Sequence, residues 1–108
     1  MKPDLPSVIE SYFAAGNAND AARIAAHFTA DARVKDEGRW RAGVAEIEDW
    51  AREARAKYQY TATPLAIEED GDARIVTAHL VGNFPGSPVD LRYRFELAEG
   101  KIARLEIV

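Results

Sequence analysis

The sequence predicts an α+β domain, with three helices in the first half of the chain and an antiparallel sheet in the second. Apolar residues recur at helical spacing up to about residue 58 and then alternate with polar residues. The chain has 108 residues, the usual size of one domain, and its hydrophobic fraction of 47% is enough for one core. We therefore expect a single domain over residues 1–108.

Three amphipathic segments predict the helices. The first covers residues 5–16, and the second follows Asp20, whose side chain is a suitable N-cap. The third and longest follows Gly43 and carries Trp50 on its apolar face. A short strand at residues 32–36 is predicted between the second and third helices.

The second half of the chain predicts four strands. Apolar and polar residues alternate most regularly over residues 89–97, while Pro64 favours an edge position or a bulge in the first strand of this group. The predicted strands cover residues 58–68, 73–84, 89–97 and 102–108. Because turn-forming residues separate consecutive strands, we expect an antiparallel meander.

The composition excludes several classes of function. The chain has no cysteine, so disulfides, thiolate metal sites and cysteine nucleophiles are excluded. Its net charge of −4 argues against generic binding of nucleic acid. No apolar run is long enough for a signal peptide or a membrane span, so no membrane association and a cytoplasmic location are expected. No metal-binding spacing, phosphate loop or dinucleotide motif occurs, so neither a metal nor a cofactor is expected.

Asp36 is the most informative residue of the sequence. It is in phase with Ala32 and Val34, so its carboxylate should point into the domain, which is costly unless the group is paired or used. Burial would raise its pKa, as suits a general base. Tyr12 lies on the buried stripe of the first helix, where its hydroxyl needs a partner. A phenol facing a carboxylate across a cavity suits proton transfer next to a carbonyl, so Asp36 and Tyr12 are predicted as a catalytic pair.

Each candidate residue also has a structural interpretation. Asp36 would accept the backbone amides of the turn at Glu37-Gly38, and Tyr12 would be ordinary core. Four aromatic residues either line a ligand pocket or simply pack in the core. They are Trp40, Trp50, Tyr58 and Tyr60. His79 alternates with the apolar residues of its strand, so it should face outward, and it is a secondary candidate for an acid.

Two stretches of the sequence resemble the nuclear transport factor 2-like superfamily. They are Val8–Asp20, and the run from Phe28-Thr29-Ala30-Asp31-Ala32 through Asp36-Glu37-Gly38 to Gly43, Ile47 and Trp50. The chain is most similar to small bacterial SnoaL-like proteins and, among enzymes, to ketosteroid isomerase, over nearly its whole length. The resemblance implies a cone-shaped barrel, in which a strongly bent antiparallel sheet wraps around the helices. A pocket for a small apolar organic ligand is expected inside it.

The resemblance also implies roles for individual residues. Tyr12 corresponds to the oxyanion-hole tyrosine of ketosteroid isomerase, and Asp36 to the aspartate that moves the proton. The second donor of that oxyanion hole is a protonated aspartate, and Leu91 stands at the corresponding position. Neighbouring Asp90 is out of phase and should face away from the pocket. Losing such a donor costs about 2.7–4 kcal/mol of transition-state stabilisation, which argues against true steroid isomerisation.

The expected function is therefore cofactor-independent proton transfer, of the isomerase, cyclase or dehydratase type, on a small apolar carbonyl compound. Trp40, Tyr58, Leu91 and Tyr93 would shape the pocket. The alternative is a module without catalytic activity that binds a hydrophobic ligand or serves as a dimeric adaptor. Leu91 favours this alternative, whereas the phase of Asp36 favours the enzyme.

A homodimer is also expected from the sequence. The chain stops at Val108, at the end of its last predicted strand, so no tail remains to cover the outer face of the sheet. We therefore expect a second copy to pack against that face.

Overall fold

The computed structural model describes residues 3–108 and, for Tyr58, only the backbone. The helices are α1 (Ser7–Asn17), α2 (Ala21–Ala26) and α3 (Val44–Tyr58). The strands are β1 (Phe28–Asp36), β2 (Arg39–Ala42), β3 (Tyr60–Asp70), β4 (Ala73–Gly82), β5 (Val89–Ala98) and β6 (Lys101–Ile107). The predicted α+β class is confirmed, and the four strands of the meander lie close to their predicted positions.

The strands form one sheet in the order β2-β1-β6-β5-β4-β3. The pairs from β3 to β6 are antiparallel, as predicted, whereas β1 lies parallel to β6. Register shifts interrupt three of the strands, β1, β3 and β5, and such bulges bend a sheet. The sheet curls around the helices without closing, so β2 and β3 remain as its edges.

Strand β2 is the element that the sequence did not predict. Glu37 and Gly38 both have positive φ angles, of 53° and 76°, and they form a two-residue turn that returns the chain alongside β1. This conformation matches the twist of a tight hairpin. The returning segment, Arg39–Ala42, is too short to show a periodic pattern. The hairpin places Arg39 directly opposite Asp36.

An aromatic cluster fills the interior next to α1. Tyr12 and Phe13 of this helix pack edge-on against Tyr93 and Phe95 of β5, with ring centroids 5.1–6.5 Å apart. Edge-to-face contacts of this kind stabilise a core beyond the area that they bury. The second helix begins as predicted, because the Asp20 side chain accepts a hydrogen bond from the backbone N–H of Arg23 at 3.1 Å. The ring contacts of the aromatic cluster hold β5 against α1.

Candidate active site

A cavity of about 270 Å³ lies between α3 and the inner face of β4 and β5. Glu37 and Pro85 are exposed at its mouth, and Asp36 and Glu37 are its acidic residues. The rest of the wall is aliphatic or aromatic and consists of Ala54, Tyr60, Leu80, Phe84, Pro85, Val89, Leu91, Tyr93 and Ile107. A mostly apolar cavity with a few polar groups is the usual form of a site for a small organic molecule.

Asp36 lies at the end of β1 and lines this cavity. Ala32 and Val34, which share its face of the strand, are completely buried, so the carboxylate points inward as predicted. The indole N–H of Trp50 donates a hydrogen bond to Asp36 Oδ2 at 3.0 Å. The backbone N–H of Glu37 also donates to this carboxylate, so part of the structural interpretation holds as well. Because a carboxylate accepts up to about four hydrogen bonds, capacity remains for a ligand.

The environment of Asp36 raises the pKa of its carboxyl group above 3.8. Burial is the largest cause, and the hydrogen bond from Trp50 partly opposes it. The raised pKa means that the folded state holds the proton more tightly than the unfolded chain does. The free energy of unfolding should therefore fall as the pH rises from 3.8 through the raised pKa. A raised carboxyl pKa in a cavity is typical of a residue in a functional site.

Replacing Trp50 with Phe should raise the pKa of Asp36 further. The substitution removes the N–H that favours the ionised carboxylate but keeps an aromatic ring in the core. ¹³C NMR titration of the aspartate carboxyl groups would measure the change. Trp40→Phe is the matched control, because Trp40 lies opposite Lys35 on the outer face of the β1–β2 hairpin. An unchanged or lowered pKa in Trp50→Phe would contradict the assigned role of the indole.

Tyr60 and Tyr93 provide hydroxyl groups at the cavity. Burial is the main cause that raises the pKa of both phenols, so both remain neutral donors. Their side chains are joined by a hydrogen bond, which lowers the pKa of Tyr60. The guanidinium of Arg55 lies 4.0 Å from the centre of the Tyr60 ring and donates to the Tyr60 carbonyl at 2.6 Å. Its charge favours any negative charge that develops near the two hydroxyls.

Tyr12 is buried but is not among the residues that line the cavity. Its ring is enclosed by the rings of Phe13, Phe28, Tyr93 and Phe95. Burial raises the pKa of its hydroxyl. Within residues 3–108, no direct hydrogen bond joins Tyr12 to Asp36. Tyr12 therefore lies in the aromatic core and not at the cavity wall, but its hydroxyl is near enough to Asp36 for the charge of that carboxylate to raise the Tyr12 pKa.

The other predicted pocket residues differ in their positions. Leu91 and Tyr93 line the cavity, as the alternation of β5 predicts. Trp40 does not, because it pairs with Lys35 on the outer face of the β1–β2 hairpin and is 43% exposed. The guanidinium of Arg104 lies 4.8 Å from the centre of its ring. The side chain of Tyr58 lies outside the described part of the structure.

His79 and Asp90 both face away from the cavity, as predicted. They are directly opposite each other on β4 and β5, and His79 Nδ1 lies 2.7 Å from Asp90 Oδ1. Both side chains are exposed to solvent, and an ion pair in such a position contributes little to stability. The geometry therefore gives His79 no contact with a ligand in this cavity.

Metal and membrane features were also sought in residues 3–108. This part of the chain holds no group of three or more acidic or histidine side chains arranged to hold a metal ion. None of its helices combines the length and the apolar character that are needed to cross a bilayer.

Solved structures with similar folds cover almost the whole chain. A candidate polyketide cyclase from Sinorhizobium meliloti is 44% identical, with a TM-score of 0.92, and the match covers 97% of this chain and 96% of that one. A protein with a ketosteroid isomerase-like fold from Catenulispora acidiphila, in complex with trimethylamine, is 18% identical, with a TM-score of 0.85 and coverage of 97% and 86%. TerC, co-crystallised with polyporic acid, is 18% identical, with a TM-score of 0.79 and coverage of 94% and 88%.

The search of curated proteins gave no match. Residues 9–105 match the SnoaL-like domain family, which is most of the chain. The fold and the similar structures agree with this match, including the nuclear transport factor 2-like fold of a protein from Cytophaga hutchinsonii. The chain therefore belongs to the SnoaL-like domain family.

Proposed function

We propose that this protein catalyses cofactor-independent proton transfer next to the carbonyl group of a small, largely apolar compound. The observation that supports this most is the Asp36 carboxylate, which lies at the wall of an otherwise apolar cavity and has a raised pKa. A carboxylate in such a place is a suitable general base. The similarity to a candidate polyketide cyclase favours a cyclase or an isomerase within this class.

In the proposed reaction, Asp36 removes a proton from the carbon next to the carbonyl. The hydroxyl of Tyr60 donates a hydrogen bond to the enolate oxygen that forms, as in an oxyanion hole, and the hydroxyl of Tyr93 donates to Tyr60. In an isomerase, the protonated Asp36 returns the proton to a different carbon. In a cyclase, the enolate carbon attacks a second carbonyl of the same molecule, and the resulting alkoxide takes up the proton.

The second candidate function is ligand binding without catalysis. Leu91 favours it, because this residue places an apolar side chain in the cavity where ketosteroid isomerase has a hydrogen-bond donor. The relatives that were crystallised with trimethylamine and with polyporic acid support a ligand cavity under either proposal.

Exchange of α-protons in D2O tests the two candidates without knowledge of the natural substrate. β-Tetralone is a small apolar ketone whose loss of α-proton signal can be followed by proton NMR. We expect the protein to accelerate this exchange, and Leu91→Trp to remove most of the acceleration by filling the cavity. Leu65→Trp is the matched control, since Leu65 is 48% exposed on β3. Exchange no faster than in buffer with an equal concentration of acetate would contradict catalysis.

We further propose that the protein acts in the cytoplasm as a homodimer through its outer sheet face. That face carries a ladder of ion pairs, including Arg92 with Glu68 at 3.0 Å and Arg94 with Asp70 at 3.3 Å. Such an ordered, partly charged surface is able to pair with a second copy around a two-fold axis. Light scattering should give twice the chain mass of 11.9 kDa. A monomer at micromolar concentration would contradict the dimer.

A further inference from the structure

A second, more polar hollow of about 150 Å³ adjoins the cavity. The two spaces share Asp36, Glu37 and Ala54, so the Asp36 carboxylate lies at the boundary between an apolar and a polar compartment. The charged residues of the hollow are Asp36, Glu37, Arg39, Arg41, Glu53 and Lys57. Any ligand in the hollow therefore meets charges of both signs.

The two arginines are carried by the edge strand β2. Arg39 pairs with Asp36 and Arg41 pairs with Val34, whose side chain is completely buried. Because directly opposite residues of an antiparallel pair share a face, both arginines project to the inner side of the sheet. Both guanidinium groups thus lie on the same side as the Asp36 carboxylate, with Arg39 exposed and Arg41 half-buried.

Arg41 has capacity for a ligand. Its Nη1 is buried and has no hydrogen-bond partner among the described residues. Neither Arg39 nor Arg41 has a carboxylate within salt-bridge distance in that part of the chain, although the charge of Arg41 lowers the pKa of Asp36. Glu37 and Lys57 each have partners of their own. A buried guanidinium N–H without an acceptor is unfavourable, and a carboxylate is the acceptor that fits its geometry best.

We propose that this hollow is an anion subsite, and that the compound deprotonated at Asp36 carries a carboxylate that Arg41 binds. This inference rests on the proposed function and narrows its substrate class to carbonyl acids. The apolar part of the ligand occupies the larger cavity, and its carboxylate occupies the hollow. The carbon that loses its proton then lies at Asp36, between the two compartments. Arg39, at the exposed end, attracts the anion and contributes less to its binding.

Two probes of the same shape separate charge recognition from apolar binding. β-Naphthoate carries a carboxylate where β-naphthamide carries a neutral amide, and isothermal titration gives the dissociation constant of each. We expect Arg41→Gln to weaken binding of β-naphthoate by about 10–100-fold, the range for hydrogen bonds to a charged group. Binding of β-naphthamide should be unchanged, which also shows that the variant is folded. Arg33→Gln is the matched control, because Arg33 is an exposed arginine on the outer face of β1.

Arg41→Lys provides a second variant that keeps the charge but loses the planar fork, and it should weaken β-naphthoate less than Arg41→Gln does. Equal affinity of Arg41→Gln and the wild type for β-naphthoate would overturn the anion subsite, as would failure of the wild type to bind this probe. The β-tetralone assay is independent of this result, because its substrate has no carboxylate. If the protein accelerated β-tetralone exchange but showed no Arg41-dependent binding of β-naphthoate, only the anion subsite would be overturned.

Discussion

Replacing Asp36 with Asn is expected to slow protein-catalysed exchange of β-tetralone by about 10²–10⁴-fold. The amide of Asn has the shape of the carboxylate but cannot take up a proton at neutral pH. Its carbonyl oxygen can still accept the hydrogen bond that Trp50 Nε1 donates to Asp36 Oδ2. The fold should therefore persist, and the loss of exchange would report the loss of the base.

The same substitution should make the protein more stable at neutral pH. Removing a buried ionised group whose folded pKa is raised should increase the free energy of unfolding by roughly 0.5–2 kcal/mol, a common gain when a functional site is relaxed. The decline of stability between pH 3.8 and the raised pKa should also disappear. Urea unfolding at several pH values would measure both effects.

Asp90→Asn is the matched control for these experiments. Asp90 lies on the outer face, paired with His79, so this substitution should change neither the exchange rate nor the pH dependence that belongs to Asp36. If Asp36→Asn exchanged α-protons as fast as the wild type, Asp36 would not be the base.

Removing the Tyr60 hydroxyl by substitution with Phe is expected to slow exchange by about 10²–10³-fold, the usual effect of losing an oxyanion donor. The Tyr60 side chain lines the cavity, and its hydroxyl accepts a hydrogen bond from Tyr93, which leaves its own proton for a ligand. Tyr12→Phe should have a much smaller effect, because Tyr12 is enclosed in the aromatic cluster. Exchange rates of the two variants would show whether the donor is the tyrosine at the cavity or Tyr12, which the resemblance to ketosteroid isomerase implies. Thermal unfolding would check that both variants are folded. A greater loss in Tyr12→Phe would show that the donor is Tyr12.

The sequence predicted those features that depend on a regular local pattern. Alternation placed the strands of the meander, turned Leu91 and Tyr93 inward and turned Asp90 outward. The phase of Asp36 with Val34 predicted its inward carboxylate. These predictions hold because successive side chains of a strand point to opposite faces of the sheet, so the position of a residue along the strand determines its face.

The features that the sequence did not predict depend on contacts between elements. A helical stripe predicts the buried face of α1 but not which of its residues reach the cavity. Tyr12 is therefore expected at the cavity wall, whereas the structure places it in the aromatic cluster. The residues predict a turn at Glu37-Gly38 but not the hairpin that it forms, because Glu is unusual at a left-handed turn position and the returning strand is only four residues long. Without β2, the outward position of Trp40 and the inward position of Arg41 could not be derived.

The pH dependence of β-tetralone exchange tests the role of Asp36 most directly. Because only the ionised carboxylate accepts a proton, the rate should rise with pH and level off above the pKa of Asp36. The midpoint of this rise should match the ¹³C titration of the Asp36 carboxyl group and lie above 3.8. A rate that shows no midpoint at the titration of Asp36, or that Asp36→Asn retains, would contradict the assignment of Asp36 as the base.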